Sequence, residues 1–267
     1  MLAQPHSTPP AAEPTRRVLL RRAATLGGAV LVGGALDLST AATPAVAVGR
    51  PPISTRAQWQ ARPPTSTAVV LGRGPDHIVV HHTASANSSD FSVSHAHALS
   101  RSIQNFHMDG NGWADIGQQF TISRGGHLME GRNRTLESLT AGTLVVGAQT
   151  AGHNEHTVGI ECEGLYTSAS PTSALWSMLV QLCAHLCERY GLSPATAIVG
   201  HRNYVATACP GDRLYGMLPQ LRQEVAAVLG VVQADSPAGP MPDLGAGRPA
   251  SRRTFDHGPA RTSGERR

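Results

Sequence analysis

The sequence predicts an α/β fold: a single domain with a central mixed β-sheet flanked by about three α-helices. Three observations carry that prediction. Short β-branched runs recur between segments of helical period, and Gly, Asn and Asp punctuate the joints. The stretch that bears this pattern, residues 48–230, is long enough for one substantial core.

The elements follow in order. His77-Ile78-Val79-Val80-His81-His82-Thr83 reads as a buried strand entering a loop. Ala96 to Met108 has apolar residues at 96, 99, 103 and 106, a helical spacing that stops at Asp109-Gly110-Asn111-Gly112. Gly117 to Ser123 and Leu128 to Glu130 read as two strands joined through Arg124-Gly125-Gly126, a hairpin. Thr157 to Glu163 is a further strand. Pro171 to Tyr190 is the longest helix, with Leu175, Met178, Leu179, Leu182 and Leu186 on its apolar face and Gly191 past its end. Ala197-Ile198-Val199 makes a short strand, and Arg213 to Leu229 a last helix.

The ends of the 267-residue chain read differently from this middle. Arg16-Arg17, a second pair Arg21-Arg22, a small apolar run from Ala23 to Leu36 and the closing Ala45-Val46-Ala47 have the layout of an export signal over residues 1–47. The paired arginines look like a twin-arginine signal, so secretion to the cell wall or medium is expected, with no stable membrane insertion after cleavage. Residues 231–267 are rich in Pro, Gly and Arg, have no hydrophobic period, and are expected to be disordered.

The formal charge of +4 belongs to those ends. The middle holds twelve Arg against twelve acidic residues, so no cationic domain faces a nucleic acid backbone. All 22 basic residues are Arg, which excludes Schiff-base chemistry and every lysine acid–base role. Thirteen histidines against four cysteines direct attention to metal and proton chemistry instead.

Gly200-His201-Arg202-Asn203-Tyr204-Val205-Ala206-Thr207-Ala208-Cys209-Pro210-Gly211 is the most informative stretch. It follows a strand, so His201 stands at a strand's C-terminal end, where α/β sheets present their sites. A His and a Cys on one loop suit a borderline metal such as zinc. A third ligand must come from another strand end, and His81-His82 supplies one. Alternation sends their two rings to opposite faces, so only one of them can reach the ion. Three protein ligands leave a fourth position for water, the mark of a catalytic zinc.

Six blocks in order strengthen this reading: Ile53-Ser54-Thr55-Arg56-Ala57-Gln58-Trp59, V-V-H-H-T-A (79–84), G-W-A-D-I-G-Q-Q-F (112–120), L-M-E-G-R (128–132), V-G-I-E-C-E-G (158–164) and the His201–Cys209 loop. Together, over about 53–229, they resemble the zinc amidase domain shared by peptidoglycan recognition proteins and phage lysozyme-type amidases. The resemblance implies one Zn2+ held by His81, His201 and Cys209. It also implies N-acetylmuramoyl-L-alanine amidase activity, in which a zinc-bound water cuts the lactyl–L-alanine amide of peptidoglycan. Members of the family that only bind peptidoglycan usually lack the Cys, so Cys209 favours an enzyme.

The sequence also departs from the family. Gln118 stands where catalytic members usually carry a Tyr, and Gln149 replaces a cleft His; neither Gln titrates. These two residues support the alternative, a domain that recognises peptidoglycan without cutting it. Related anhydromuramyl amidases place a basic Glu in a G-I-E-x-E-G strand, matched here by Gly159-Ile160-Glu161-Cys162-Glu163-Gly164. Glu161 is therefore the expected general base and acid, with Glu163 on the same face in a supporting role. Thr207 is expected to stabilise the oxyanion, and Arg132 to grip a stem-peptide carboxylate, with Glu163, Gln118 and Gln149 completing the substrate wall. Trp113 and Asp115 are read as loop-shaping residues, and His153 and His156 as exposed or cleft-rim positions. Cys162, Cys183 and Cys187 offer at most one intrachain disulfide.

Overall fold

A computed structural model of the chain describes residues 48–231, 241–248 and 255. The expected export segment, 1–47, lies outside the described residues. The strands are β1 (Ile53–Ser54), β2 (Val70–Leu71), β3 (His77–His82), β4 (Phe120–Ile122), β5 (Leu128–Glu130), β6 (Leu144–Val145), β7 (Thr157–Cys162) and β8 (Ile198–Gly200). The helices are α1 (Val93–Asn105), α2 (Thr135–Ala141), α3 (Ser173–Tyr190), α4 (Pro194–Ala197), α5 (Asp212–Gly216) and α6 (Leu218–Val228).

Six strands form one mixed sheet in the order β1-β5-β4-β7-β3-β8, and β2 pairs with β6 apart from it. Only the β4–β5 hairpin is antiparallel within the large sheet. Its turn works because Gly126 takes φ +80, where a side chain would be strained. Strand β3 is an interior strand parallel to both neighbours, and its run Ile78-Val79-Val80 is buried on both faces and apolar without alternation.

One face of the sheet carries the main core. Ile78, Val80, Phe120, Ile122, Ile160 and Cys162 meet Leu175, Leu179, Leu182 and Cys183 of α3, with Leu221 and Val225 of α6 behind them. Each fully buried Leu or Ile contributes about 1.5–3 kcal/mol relative to exposure. Helix α3 starts where Thr172 accepts the Leu175 amide at 3.2 Å and stops at Gly191 with φ 67. On the other face α1 packs over β5, where Ala96 meets Trp59 and Met129. That leaves the opposite flank of this face to the site.

The predicted helix from Arg213 to Leu229 is two helices, because Pro219 lacks an amide hydrogen and opens α6 as an N-terminal residue. Helix α1 begins three residues before Ala96, at a Ser92 cap that accepts the His95 amide, and runs into a π-helical turn at Phe106–Gly110. No helix among the described residues is long and apolar enough to cross a membrane.

Part of the C-terminal stretch expected to be disordered is described and makes specific contacts. Leu244 N–H donates to Arg202 O at 2.9 Å, Asn203 Nδ2 donates to Pro242 O at 3.1 Å, and Phe255 N–H donates to Thr83 O at 2.8 Å. These contacts are mostly to backbone, which leaves no hydrophobic period in the sequence to announce them.

Candidate metal centre

The strand register builds the site. Met129, Thr121, Glu161 and His81 are cross-strand partners in one row over β5, β4, β7 and β3. In-register neighbours point to the same side of a sheet, so Glu161 and His81 share the face that α1 leaves uncovered. His82 falls on the opposite face, where its Nδ1 accepts the Tyr166 amide at 3.3 Å. The two rings therefore lie on opposite faces of the sheet, as alternation predicts.

His81, His201 and Cys209 are all buried, and their ligand atoms lie within 4.8 Å of one another. Nδ1 of His81 is 3.6 Å from the Cys209 sulfur, and the His81 and His201 ring centroids are 4.4 Å apart. The His82 amide donates to Cys209 Sγ at 3.4 Å, which fixes the sulfur beside the end of β3. Two imidazoles and a cysteine sulfur, one from the end of β3 and two from the loop after β8, form a donor set suited to a borderline divalent ion.

Gln149 sets the chemistry of His81. Thr157 Oγ1 donates to His153 O at 2.7 Å and accepts from Gln149 Nε2 at 2.8 Å, which turns Gln149 Oε1 toward His81. That oxygen accepts from His81 Nε2–H at 2.6 Å, leaving the Nδ1 lone pair facing Cys209. A side chain at Gly159 would meet Gln149 Cδ at 2.7 Å, so this glycine makes the approach possible.

The His201–Cys209 loop is held by its own residues. Thr207 Oγ1 accepts the Cys209 amide at 3.1 Å, and as a hydroxyl it keeps its hydrogen to donate. Buried Arg202 donates to Ala208 O and Asp212 and stacks on Tyr215 at 4.8 Å, while Asn203 Oδ1 accepts the Gly200 amide at 2.8 Å. The Cys209–Pro210 peptide is cis. The roles of Arg202 and Asn203 were not read from sequence, although both lie inside the most informative motif.

The remaining expected site residues are placed as follows. Glu161 is 1% exposed in the row beside His81. Glu163 is buried and engaged: its carboxylate meets His95 Nε2 at 2.6 Å and accepts the Arg124 amide at 2.7 Å. It ties α1 and the hairpin turn to the end of β7, away from the row shared by Glu161 and His81. Gln118 is buried with Nε2 donating to Thr121 Oγ1 at 2.9 Å, one strand over from Glu161. Arg132 is half-buried and donates to Ile116 O at 3.3 Å. Asp115 is a structural hub, accepting from Arg56, Gln104 and Asn133.

All four cysteines are buried and free, so the bridge that Cys162 could have made to Cys183 or Cys187 is not formed. Cys162 points into the main core, where burial pushes its thiol far up, with the nearby Glu161 and Cys209 charges adding to the effect. Cys183 and Cys187 pack in the same core.

The N-acetylmuramoyl-L-alanine amidase family matches residues 71–212. A human N-acetylmuramoyl-L-alanine amidase is 35% identical over 172 residues, covering 64% of this chain and 28% of that protein. The chain thus spans little more than a quarter of that relative's length. A peptidoglycan recognition protein of Trichoplusia ni is 32% identical over 163 residues, covering 61% of this chain and 83% of that one. The structure of peptidoglycan recognition protein-LE in complex with tracheal cytotoxin, a monomeric diaminopimelic acid-type peptidoglycan, superposes with a TM-score of 0.55 at 28% identity. It covers 63% of this chain and 92% of that one. With the match extending over more than half of its length, the chain belongs to the family of N-acetylmuramoyl-L-alanine amidases and peptidoglycan recognition proteins.

Proposed function

We propose that the chain is a zinc-dependent N-acetylmuramoyl-L-alanine amidase acting on peptidoglycan. The observation that carries this reading is the convergence of buried His81, His201 and Cys209, with Glu161 beside His81 in the same row. The donor set and the tautomer imposed by Gln149 fit zinc. When bound, zinc supplies the Lewis acidity that polarises the scissile carbonyl and makes water nucleophilic near neutral pH.

The chain's own residues do the rest. Glu161 takes the proton from the attacking water and returns it to the leaving L-alanine amine, so the carbonyl–nitrogen bond breaks with the proton balance closed. Thr207 donates its hydroxyl hydrogen to the oxyanion while its oxygen holds the Cys209 amide. Arg132 is assigned to a stem-peptide carboxylate. Glu163 and Gln149 act behind the site, Glu163 through His95 and Gln149 through His81. Secretion by the twin-arginine route belongs to the same proposal, on the strength of Arg16-Arg17 and Ala45-Val46-Ala47 in the sequence.

The alternative is recognition without cleavage, favoured by the non-titrating Gln118 on the row's flank. Digestion of purified peptidoglycan separates the two. The amidase reading expects new N-terminal alanine, lost in Cys209→Ser; the recognition reading expects retained binding with no new amine.

A further inference from the structure

A second cluster of metal-ligating side chains stands at the other end of the central strands. Asp76 and His77 open β3, and His156 immediately precedes β7. The strands hold them in place: His77 pairs with Thr157 in register, and the Asp76 amide donates to His156 O at 3.0 Å. Residues 80 apart in sequence are thereby fixed as neighbours by backbone bonds, before any side chain is considered.

We propose that Asp76, His77 and His156 form a second metal site, for a borderline divalent cation such as zinc. Their ligand atoms lie within 4.8 Å of one another. Asp76 Oδ1 meets His77 Nδ1 at 2.7 Å and His156 Nδ1 at 2.8 Å, so one carboxylate oxygen already gathers both imidazole nitrogens. Bonds of about 2.0 Å to a tetrahedral ion would separate these atoms to roughly 3.3 Å, which small ring rotations supply. Burial pushes the Asp76 carboxyl upward, but the hydrogen bonds from His156 and His77 outweigh it and keep the group ionised.

The surroundings match those of a ligated histidine. His156 Nε2 lies 3.0 Å from His153 Nδ1, so with Nδ1 on the ion the opposite nitrogen donates to a fixed acceptor. Tyr204 walls the cluster: its ring lies against His153 at 4.3 Å and stands edge-on to His77 at 6.0 Å and to His156 at 5.7 Å. The Asp76 side chain is 58% exposed, so water can reach and complete the coordination. Two histidines, one carboxylate and open positions make a three-ligand site. Because Tyr204 belongs to the loop between His201 and Cys209, an ion here would also brace the loop of the first site.

The test is zinc stoichiometry on the full chain after equilibrium dialysis, measured in the parent and in Cys209→Ser. The expectation is two zinc ions per parent chain, and one fewer when His156→Asn is introduced in either background. Asp76→Asn, with both imidazoles intact, should weaken the same equivalent. Cobalt loading of Cys209→Ser gives a second readout, a visible ligand-field band that His156→Asn abolishes while circular dichroism stays unchanged. Equal zinc content with and without His156→Asn in both backgrounds would overturn the proposal. So would a cobalt band that His156→Asn leaves intact.

Discussion

Oε1 of Gln149 decides which nitrogen of His81 faces Cys209, and that decision is made by a chain of hydroxyl and amide contacts ending at His153 O. Gln149→Ala should therefore lower zinc affinity by about 10–100-fold, the range for lost outer partners of a ligating histidine, with the fold unchanged. A competition titration against a zinc chelator reads this directly. Glu161 makes a different prediction. Glu161→Gln keeps the volume and polarity of the side chain but removes the base, so turnover should fall by about 10²–10⁴-fold with zinc content unchanged. Activity and zinc both intact in that variant would remove Glu161 from the mechanism. The resemblance blocks point to His81, His201 and Cys209, which the structure brings within 4.8 Å of one another, and to Glu161, which shares a row with His81. The engagement of Gln149 with His81 was not legible in the sequence, since it depends on a loop folding back over Gly159.

At the level of elements, β7 sets Glu161 beside His81, and α3 packs the core on the sheet's opposite face. Gly159→Ala puts a methyl 2.7 Å from Gln149 Cδ, so it should reproduce the zinc defect of Gln149→Ala while leaving both His81 and Gln149 in the sequence. Wild-type zinc affinity in Gly159→Ala would show that the glycine is not needed for that approach. In α3, Leu182 is fully buried in the main core, and Leu182→Ala should cost about 2–5 kcal/mol in urea unfolding. His185 on the same helix adds a pH term. Burial lowers its pKa from 6.5, with Arg50 and Arg189 helping and the Val48 backbone and Glu188 opposing. A depressed histidine pKa means stability is fully present above about pH 6.5 and is lost as pH falls through the folded value. His185→Gln should flatten that acid-side decline. The long elements α1, α3, β3 and β7 were readable from period and caps. The short ones, β1, β2, β6, α2 and α4, were not, because segments of two to seven residues take their structure from their partners.

For the molecule as a whole, the proposed metal ligands come from the end of β3 and from the loop after β8, which are distant in sequence and brought together by the folded sheet. Zinc at 100 times its dissociation constant should stabilise the chain by about 2.7 kcal/mol, and a chelator should remove that increment. A melting temperature indifferent to both would mean that the cluster does not hold the ion. The α/β class and mixed sheet followed from the order of runs and helical stretches. The described tail residues were missed because they dock through backbone groups at Arg202, Asn203 and Thr83. The most direct test of the central claim is mass spectrometry of purified peptidoglycan incubated with zinc-loaded protein, beside Cys209→Ser. The account predicts new N-terminal alanine with the parent and none with the variant. A folded, zinc-loaded parent that binds the polymer and releases no alanine amine would contradict it, and would leave a recognition domain in its place.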